Sequence, residues 1–179
     1  ADRELVDAVV AMVGRREGRL PAAARPAATR PTQVREVLVD RVLMSETGHF
    51  STLWSKMATK LGLQVEMIPG DWRHGADHPE IEKRLRADTG FAIKAVCVVH
   101  NETSTGVVTR VPLVRRAIDN AKHPALLMVD TISSLASIDY RHGEWGVDVT
   151  VGGSQKGLML PPGLSFNATS EKALAAGKS

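Results

Sequence analysis

The sequence holds a single cysteine, Cys97, in 179 residues, which excludes an internal disulfide and a cysteine-based metal cluster. That thiol sits in the run Ala95-Val96-Cys97-Val98-Val99, so it is expected to be a buried core side chain. No apolar run approaches the ~20 residues that a membrane-spanning helix needs. The first residues also lack the charged-then-apolar plan of a secretory leader, and a reducing cytoplasm is the expected compartment. Charge of one sign is scarce as well. Lys and Arg total 23 against 20 Asp and Glu, a formal +3 that is too mild to point to nucleic acid. The excess that exists is crowded into Arg15, Arg16, Arg19, Arg25, Arg30 and Arg35. Such a stretch is either a basic arm for an acidic partner or a solvated segment.

What is present reads as an ordinary globular chain, 43% hydrophobic and 24% charged, long enough for one domain with a sizeable core. Leu5, Val6, Val9, Val10 and Val13 recur at helical spacing, which predicts an amphipathic helix over residues 1–14, ending at Gly14. Residues 15–33 are Ala, Arg and Pro with one large aliphatic residue, Leu20. Pro21, Pro26 and Pro31 interrupt any helix there, so the stretch reads as a linker.

From residue 34 the texture alternates. Apolar runs at Val42–Met44, Val65–Ile68, Ile93–Val99, Ala125–Val129, Val147–Val151 and Leu164–Asn167 read as strands. Between them, helical spacing covers Phe50–Leu61, His78–Ala87 and Val111–Ala121, and Ser170 can cap a last helix running to about Ala176. In Phe50–Leu61 the residues Leu53, Trp54, Met57 and Leu61 share a face; in His78–Ala87, Ile81 and Leu85 point inward. Strands that alternate with helices predict an α/β fold of three layers, a mostly parallel sheet flanked by helices.

Such sheets collect ligands at the carboxyl ends of their strands. The polar groups expected there are Thr47-Gly48-His49, Asn101-Glu102-Thr103 and Asp130. Asp130 ends an apolar strand with no other charge, where a carboxylate stays ionised only beside a cation. It could meet a pyridinium nitrogen or merely cap the next turn. Lys156 follows another strand on the small polar turn Gly152-Gly153-Ser154-Gln155, ahead of Pro161-Pro162-Gly163. Desolvation on such a turn would free its amine to form an imine, whereas on an ordinary loop it would stay solvated.

Together these stretches are familiar. His100-Asn101-Glu102-Thr103-Ser104-Thr105-Gly106-Val107, Val129-Asp130-Thr131-Ile132-Ser133-Ser134 and Gly153-Ser154-Gln155-Lys156-Gly157 strongly resemble the class V, fold-type-I aminotransferases. Glu46-Thr47-Gly48-His49-Phe50 and Asp139-Tyr140-Arg141-His142 through Glu144-Trp145-Gly146-Val147-Asp148 are similar to the serine–glyoxylate and alanine–glyoxylate branch. The likeness runs from about Arg41 to the last residue, and several motifs in one order make it specific. It implies pyridoxal 5'-phosphate as cofactor and transfer of an amino group from serine or alanine to glyoxylate. It also implies a homodimer acting on small amino acids and 2-oxo acids. Lys156 would be the Schiff-base lysine and proton shuttle, with Asp130 paired to the pyridinium nitrogen. Ile132 and Phe50 would cover the two ring faces, Thr103 would lie near the ring's 3-oxygen, and Gln155 would reach the phosphate.

Other residues rank below these. His49 and His100 are expected to make structural hydrogen bonds, and Trp145 to pack or to serve a dimer interface. Trp72, His74 and His78 lack metal-ligand spacing, and no metal is expected. Arg110 could attract a substrate carboxylate, although the family's carboxylate-binding arginine lies beyond the end of this chain.

The resemblance implies that residues 34–179 are a partial large domain, without the small C-terminal domain of the family. The family's Ser/Gly/Thr phosphate turn at a helix N-terminus is replaced by Arg25-Pro26-Ala27-Ala28-Thr29-Arg30-Pro31-Thr32-Gln33. Thr29 and Thr32 could each donate a hydroxyl, but no glycine allows close backbone approach. Either the cofactor is held weakly, or the arginine-rich segment meets its phosphate in a new way. Two alternatives to transamination follow: a catalytically impaired binding or assembly module, or another class V reaction such as elimination or desulfuration. A buried Cys97 argues against the persulfide carrier that desulfuration needs.

Overall fold

The computed structural model describes residues 40–177. The expected helix 1–14, the linker 15–33 and the substituted phosphate turn lie outside them. The described chain runs β1 (Arg41–Ser45), α1 (His49–Lys60), β2 (Gln64–Ile68), α2 (His78–Ala87), β3 (Ile93–Val99), β4 (Asn101–Glu102), β5 (Val107–Val108), α3 (Val111–Asn120), β6 (Leu126–Asp130), β7 (Val149–Gly153), β8 (Ser165–Thr169) and α4 (Glu171–Ala176).

Six strands form one sheet in the order β2-β1-β3-β6-β7-β8, and β4 and β5 form a separate hairpin. Every pairing in the large sheet is parallel except β7 with β8. The α/β reading therefore holds, with an antiparallel last strand that periodicity alone did not reveal.

Continuous apolar strands arise because both faces of the sheet are covered. On one face Leu43, Val96, Val98, Leu127 and Val129 pack with Ile81 and Leu85 of α2 and Val111, Val114 and Ile118 of α3. On the other, Val42, Met44, Ala95, Cys97, Leu126 and Met128 pack with Ala173 of α4 and the half-buried Trp54 of α1. Alternate residues of β1, β3 and β6 serve opposite faces, the period of a strand. Cys97 is buried, and burial pushes its thiol up to about 12.

Helix α1 divides the face that its spacing marks out, with Trp54 half-buried against the sheet. Leu53, Met57 and Leu61 are exposed with Phe50, while Ser51 and Ala58 face the sheet. Ser51 is held there by its bonds to the hairpin, its N–H meeting Glu102 Oε2 at 3.1 Å. Ser170 caps α4 as expected, accepting the Ala173 N–H at 3.1 Å. None of the described helices is long and apolar enough to cross a membrane.

Candidate active site

The parallel strands deliver their carboxyl ends to one edge, where four connections meet: 46–48 after β1, the β4–β5 hairpin, 131–137 after β6, and 154–164 after β7. Asp130 ends β6 at the middle of this edge. Its backbone carbonyl accepts the His100 N–H at 2.9 Å, and its Oδ1 accepts the Ile132 N–H at 2.8 Å. Among the described residues no cationic side chain pairs with it. Burial, helped by the negative charge of Glu102, raises its carboxyl to about 6 against one opposing hydrogen bond from Ile132. Asp130 thus caps the turn that follows it and, among the described residues, still lacks a cationic partner.

The hairpin lies beside it. Asn101 donates through Nδ2 to Ser133 Oγ at 2.9 Å, and Ser133 Oγ donates back to the Asn101 carbonyl at 3.0 Å. This reciprocal pair fastens the hairpin to the turn that carries Ile132. Thr103 stands exposed at the tip, between Glu102 and Ser104. Sequence periodicity missed the hairpin because its strands are only two residues each and one holds Asn and Glu. The available signal was Ser104-Thr105-Gly106, a turn whose Gly106 adopts φ 77°.

Glu102 belongs to the site without having been assigned a role from sequence. Its side chain is fully buried, yet it accepts from the Phe50 N–H and the Ser51 N–H at 3.1 Å each and from Ser104 Oγ at 2.8 Å. Burial pushes the carboxyl up, but hydrogen bonds from the Ser104 hydroxyl and from the backbone of Ser51, Phe50 and Ser104 outweigh it and hold it below its usual range. These bonds place Phe50, at the start of α1, beside the hairpin. Nothing in the local sequence links residues 50 and 102.

Lys156 and Gln155 sit apart from this network, on the turn after β7. Ser154 anchors that turn, donating to the Pro161 carbonyl at 2.6 Å, and Leu160 N–H bonds to the Ser154 carbonyl at 3.0 Å. Gly157 is packed so closely that a Cβ there would lie 2.3 Å from the Leu135 carbonyl oxygen. Lys156 and Gln155 are both exposed. The desolvation expected of Lys156 is therefore not met, because its side chain is exposed although the adjoining Gly157 is packed against Leu135.

His100 is buried, bonded through Nδ1 to Ser134 Oγ at 3.0 Å and stacked among Tyr140 and Trp145, and burial lowers its pKa. It is a neutral structural side chain, and Trp145 packs with it. His49 is exposed, its ring edge-on to Phe50 at 5.5 Å. No group of three or more His, Cys, Asp or Glu among the described residues could hold a metal. Arg110 lines a separate cavity of about 670 Å³ with Ser45, Glu46, Asp71, Arg73 and His78, which none of the six candidate residues reaches.

A mostly parallel sheet with two carboxylates at its carboxyl edge, the half-buried Asp130 and the buried Glu102, and a lysine turn one strand away has the form of an α/β ligand-binding domain. Residues 35–177 match the aminotransferase class-V family, and the chain belongs to it. It is 54% identical over 140 residues to a serine–glyoxylate aminotransferase of Hyphomicrobium methylovorum, covering 78% of this chain and 35% of that protein. It is 49% identical over 137 residues to an L-aspartate–glyoxylate aminotransferase of Paracoccus denitrificans, covering 76% and 35%. The solved structure of an alanine–glyoxylate aminotransferase from Nostoc sp. superposes with a TM-score of 0.70 at 30% identity, covering 78% of this chain and 36% of that one. The chain thus spans about a third of the length of these relatives.

Proposed function

We propose that this chain is the lysine-bearing part of a pyridoxal 5'-phosphate-dependent aminotransferase that passes an amino group from serine or alanine to glyoxylate. The observation that carries the reading is Asp130, a half-buried carboxylate at the strand end, raised to about 6 and with no cation beside it among the described residues. A protonated ring nitrogen is the partner it lacks, so the residues present fit the ring end of the cofactor. Pyridoxal phosphate, when bound, supplies a sink for electrons released at the substrate carbon.

This chain's residues would do the rest. Asp130 holds the proton on the ring nitrogen, and Ile132 and Phe50 cover the ring faces. Thr103 offers a hydroxyl beside the ring oxygen, and Gln155 offers an amide to the phosphate. Lys156 would hold the cofactor through Nζ and would carry the proton that the reaction moves. Its solvent exposure leaves the amine open to an incoming carbonyl. The glyoxylate-specific names of the relatives support the acceptor. A homodimer accords with the apolar face of α1 lying open, and a cytoplasmic setting with a buried free thiol.

The test is an absorbance titration of the purified chain with pyridoxal phosphate. A near-visible band is expected, lost in Lys156→Ala and requiring at least roughly tenfold more cofactor in Asp130→Asn, about 1.4 kcal/mol. Serine should bleach the band and glyoxylate restore it. No band at saturating cofactor rejects the catalytic reading. It would favour the second one, a binding or assembly module, for which Met159 at 89% and Leu164 at 61% exposure speak.

A further inference from the structure

The carboxylate of Glu102 is buried beneath the start of α1, yet it lies on a different element 52 residues away from the N–H it meets on Phe50. A helix normally finds partners for its first N–H groups in its own cap residue. Here the cap position is Gly48, which has no side chain to offer. Ser51 Oγ takes up the N–H groups of Thr47 and Gly48 at 2.9 and 3.1 Å. Ser104 Oγ takes that of His49 at 2.9 Å, and Glu102 takes those of Phe50 and Ser51. The cap is therefore supplied in trans by the hairpin. Glycine at 48 follows from the same geometry, since a Cβ would lie 2.5 Å from Glu102 Cγ and 2.6 Å from Ser104 Oγ.

We propose that Glu102 is the positioning residue of this site: its carboxylate locks the first turn of α1 to the β4–β5 hairpin and so fixes Phe50 and Thr103 relative to Asp130. The hairpin is in turn fastened to the Asp130–Ile132 segment by the Asn101–Ser133 pair. One carboxylate thereby ties together connections that follow three different strands. A neutral hydrogen-bond acceptor could cap one N–H, but two backbone donors and a hydroxyl converging on one side chain call for both oxygens of a carboxylate. The positive end of the α1 dipole favours the same charge. Glu102 also acts through space, since its negative charge raises Asp130 further. It touches no reacting atom by this geometry, so its part is indirect.

The proposal rests on the ring-binding reading of Phe50, Thr103 and Asp130, and its test separates the two. In the full chain, Glu102→Gln keeps the shape but turns an amide N–H₂ toward N–H donors, and Gly48→Ala pushes a methyl into the same carboxylate. Leu85→Ala, in the opposite core layer, serves as a control that destabilises without touching the site. Three readouts apply: pyridoxal phosphate affinity by absorbance, amide exchange at Phe50 and Ser51, and the Asp130 titration midpoint by carboxyl NMR without cofactor. Both site variants should weaken cofactor binding at least tenfold and lose protection at residues 50 and 51. Glu102→Gln should lower the Asp130 midpoint as well, and the double variant should be little worse than either single one. Leu85→Ala should lower stability and change none of these. Unchanged affinity in Glu102→Gln, with wild type binding normally, overturns the proposal. So does a control that weakens binding as much. If wild type itself takes up no cofactor, the ring-binding reading falls; the lock then stands if the exchange and Asp130 readouts move, and falls if they do not.

Discussion

Two carboxylates at the carboxyl edge are shifted in opposite directions, and the difference lies in their donors. Glu102 is held low by hydrogen bonds that outweigh its burial, whereas Asp130 is raised to about 6 because burial is opposed only by one backbone N–H. The second arrangement costs stability at neutral pH. Unfolded, Asp130 ionises near 3.8; folded, it keeps its proton to about pH 6. Between those values the folded chain binds the extra proton, so this residue's contribution to stability falls as pH rises through that window and is flat above it. The loss is on the order of 3 kcal/mol. Asp130→Asn should accordingly raise the urea midpoint of the cofactor-free chain at pH 7.5 and leave it unchanged near pH 4, while impairing cofactor uptake. Equal midpoints of variant and wild type at pH 7.5 would show that Asp130 already has a partner. A residue that destabilises the empty fold yet sits at the ligand edge is the expected mark of a binding site.

At the scale of elements, helix α1 shows how a sequence can state a helix and mislead about its face. The stripe Leu53, Met57 and Leu61 is spaced as a buried face would be, and the helix forms where that spacing indicates. Which residues turn inward was decided in three dimensions: Ser51 and Ala58 are buried, and Ser51 N–H bonds to Glu102, a residue remote in sequence. Helix α2 had no such conflict, and Ile81 and Leu85 are buried as its pattern indicates. The strands were legible for a related reason: burial on both faces leaves continuous apolar runs. The β8 strand was read too, but its antiparallel direction and the β4–β5 hairpin were not, because strand direction and polar two-residue strands leave no period to read. Of the site, Asp130 and Lys156 could be found at strand ends, but the Glu102 lock joins positions whose only relation is spatial.

This contrast sets two measurable expectations. Leu53→Lys should change unfolding free energy by no more than ~0.5 kcal/mol, whereas Leu85→Ala should cost ~2–5 kcal/mol. Chemical denaturation reads both, and a large loss in Leu53→Lys would mean that its face is covered. For the turn after β7, Gly157→Ala drives a methyl into the Leu135 carbonyl and Ala136 backbone, which cannot yield as a side chain would. The turn carrying Lys156 should shift, so cofactor uptake should fall more steeply than stability. A variant that binds cofactor as wild type does would show that this turn has room to adjust.

At the scale of the whole molecule, exposed apolar side chains of the described residues cluster along α1 and at the β7–β8 end, where Met159, Leu160, Leu164 and Phe166 are exposed. All five residues of β8 are exposed, and among the described residues β8 pairs only with β7. Its sequence Ser165-Phe166-Asn167-Ala168-Thr169 carries neither charge nor proline, the features that usually keep an edge strand from recruiting another. An uncharged strand can pair with a second copy of itself across a two-fold axis without like charges meeting. The isolated chain should therefore associate through this edge, with light scattering that rises with concentration. Phe166→Lys would add a charge to this edge and remove an apolar contact, so it should lower the scattering several-fold without moving the thermal midpoint. Leu53→Lys, on the other apolar surface, should do so only if α1 is the face that docks. If Phe166→Lys scatters as strongly as wild type while Leu53→Lys does not, the helix face and not the sheet edge joins the copies.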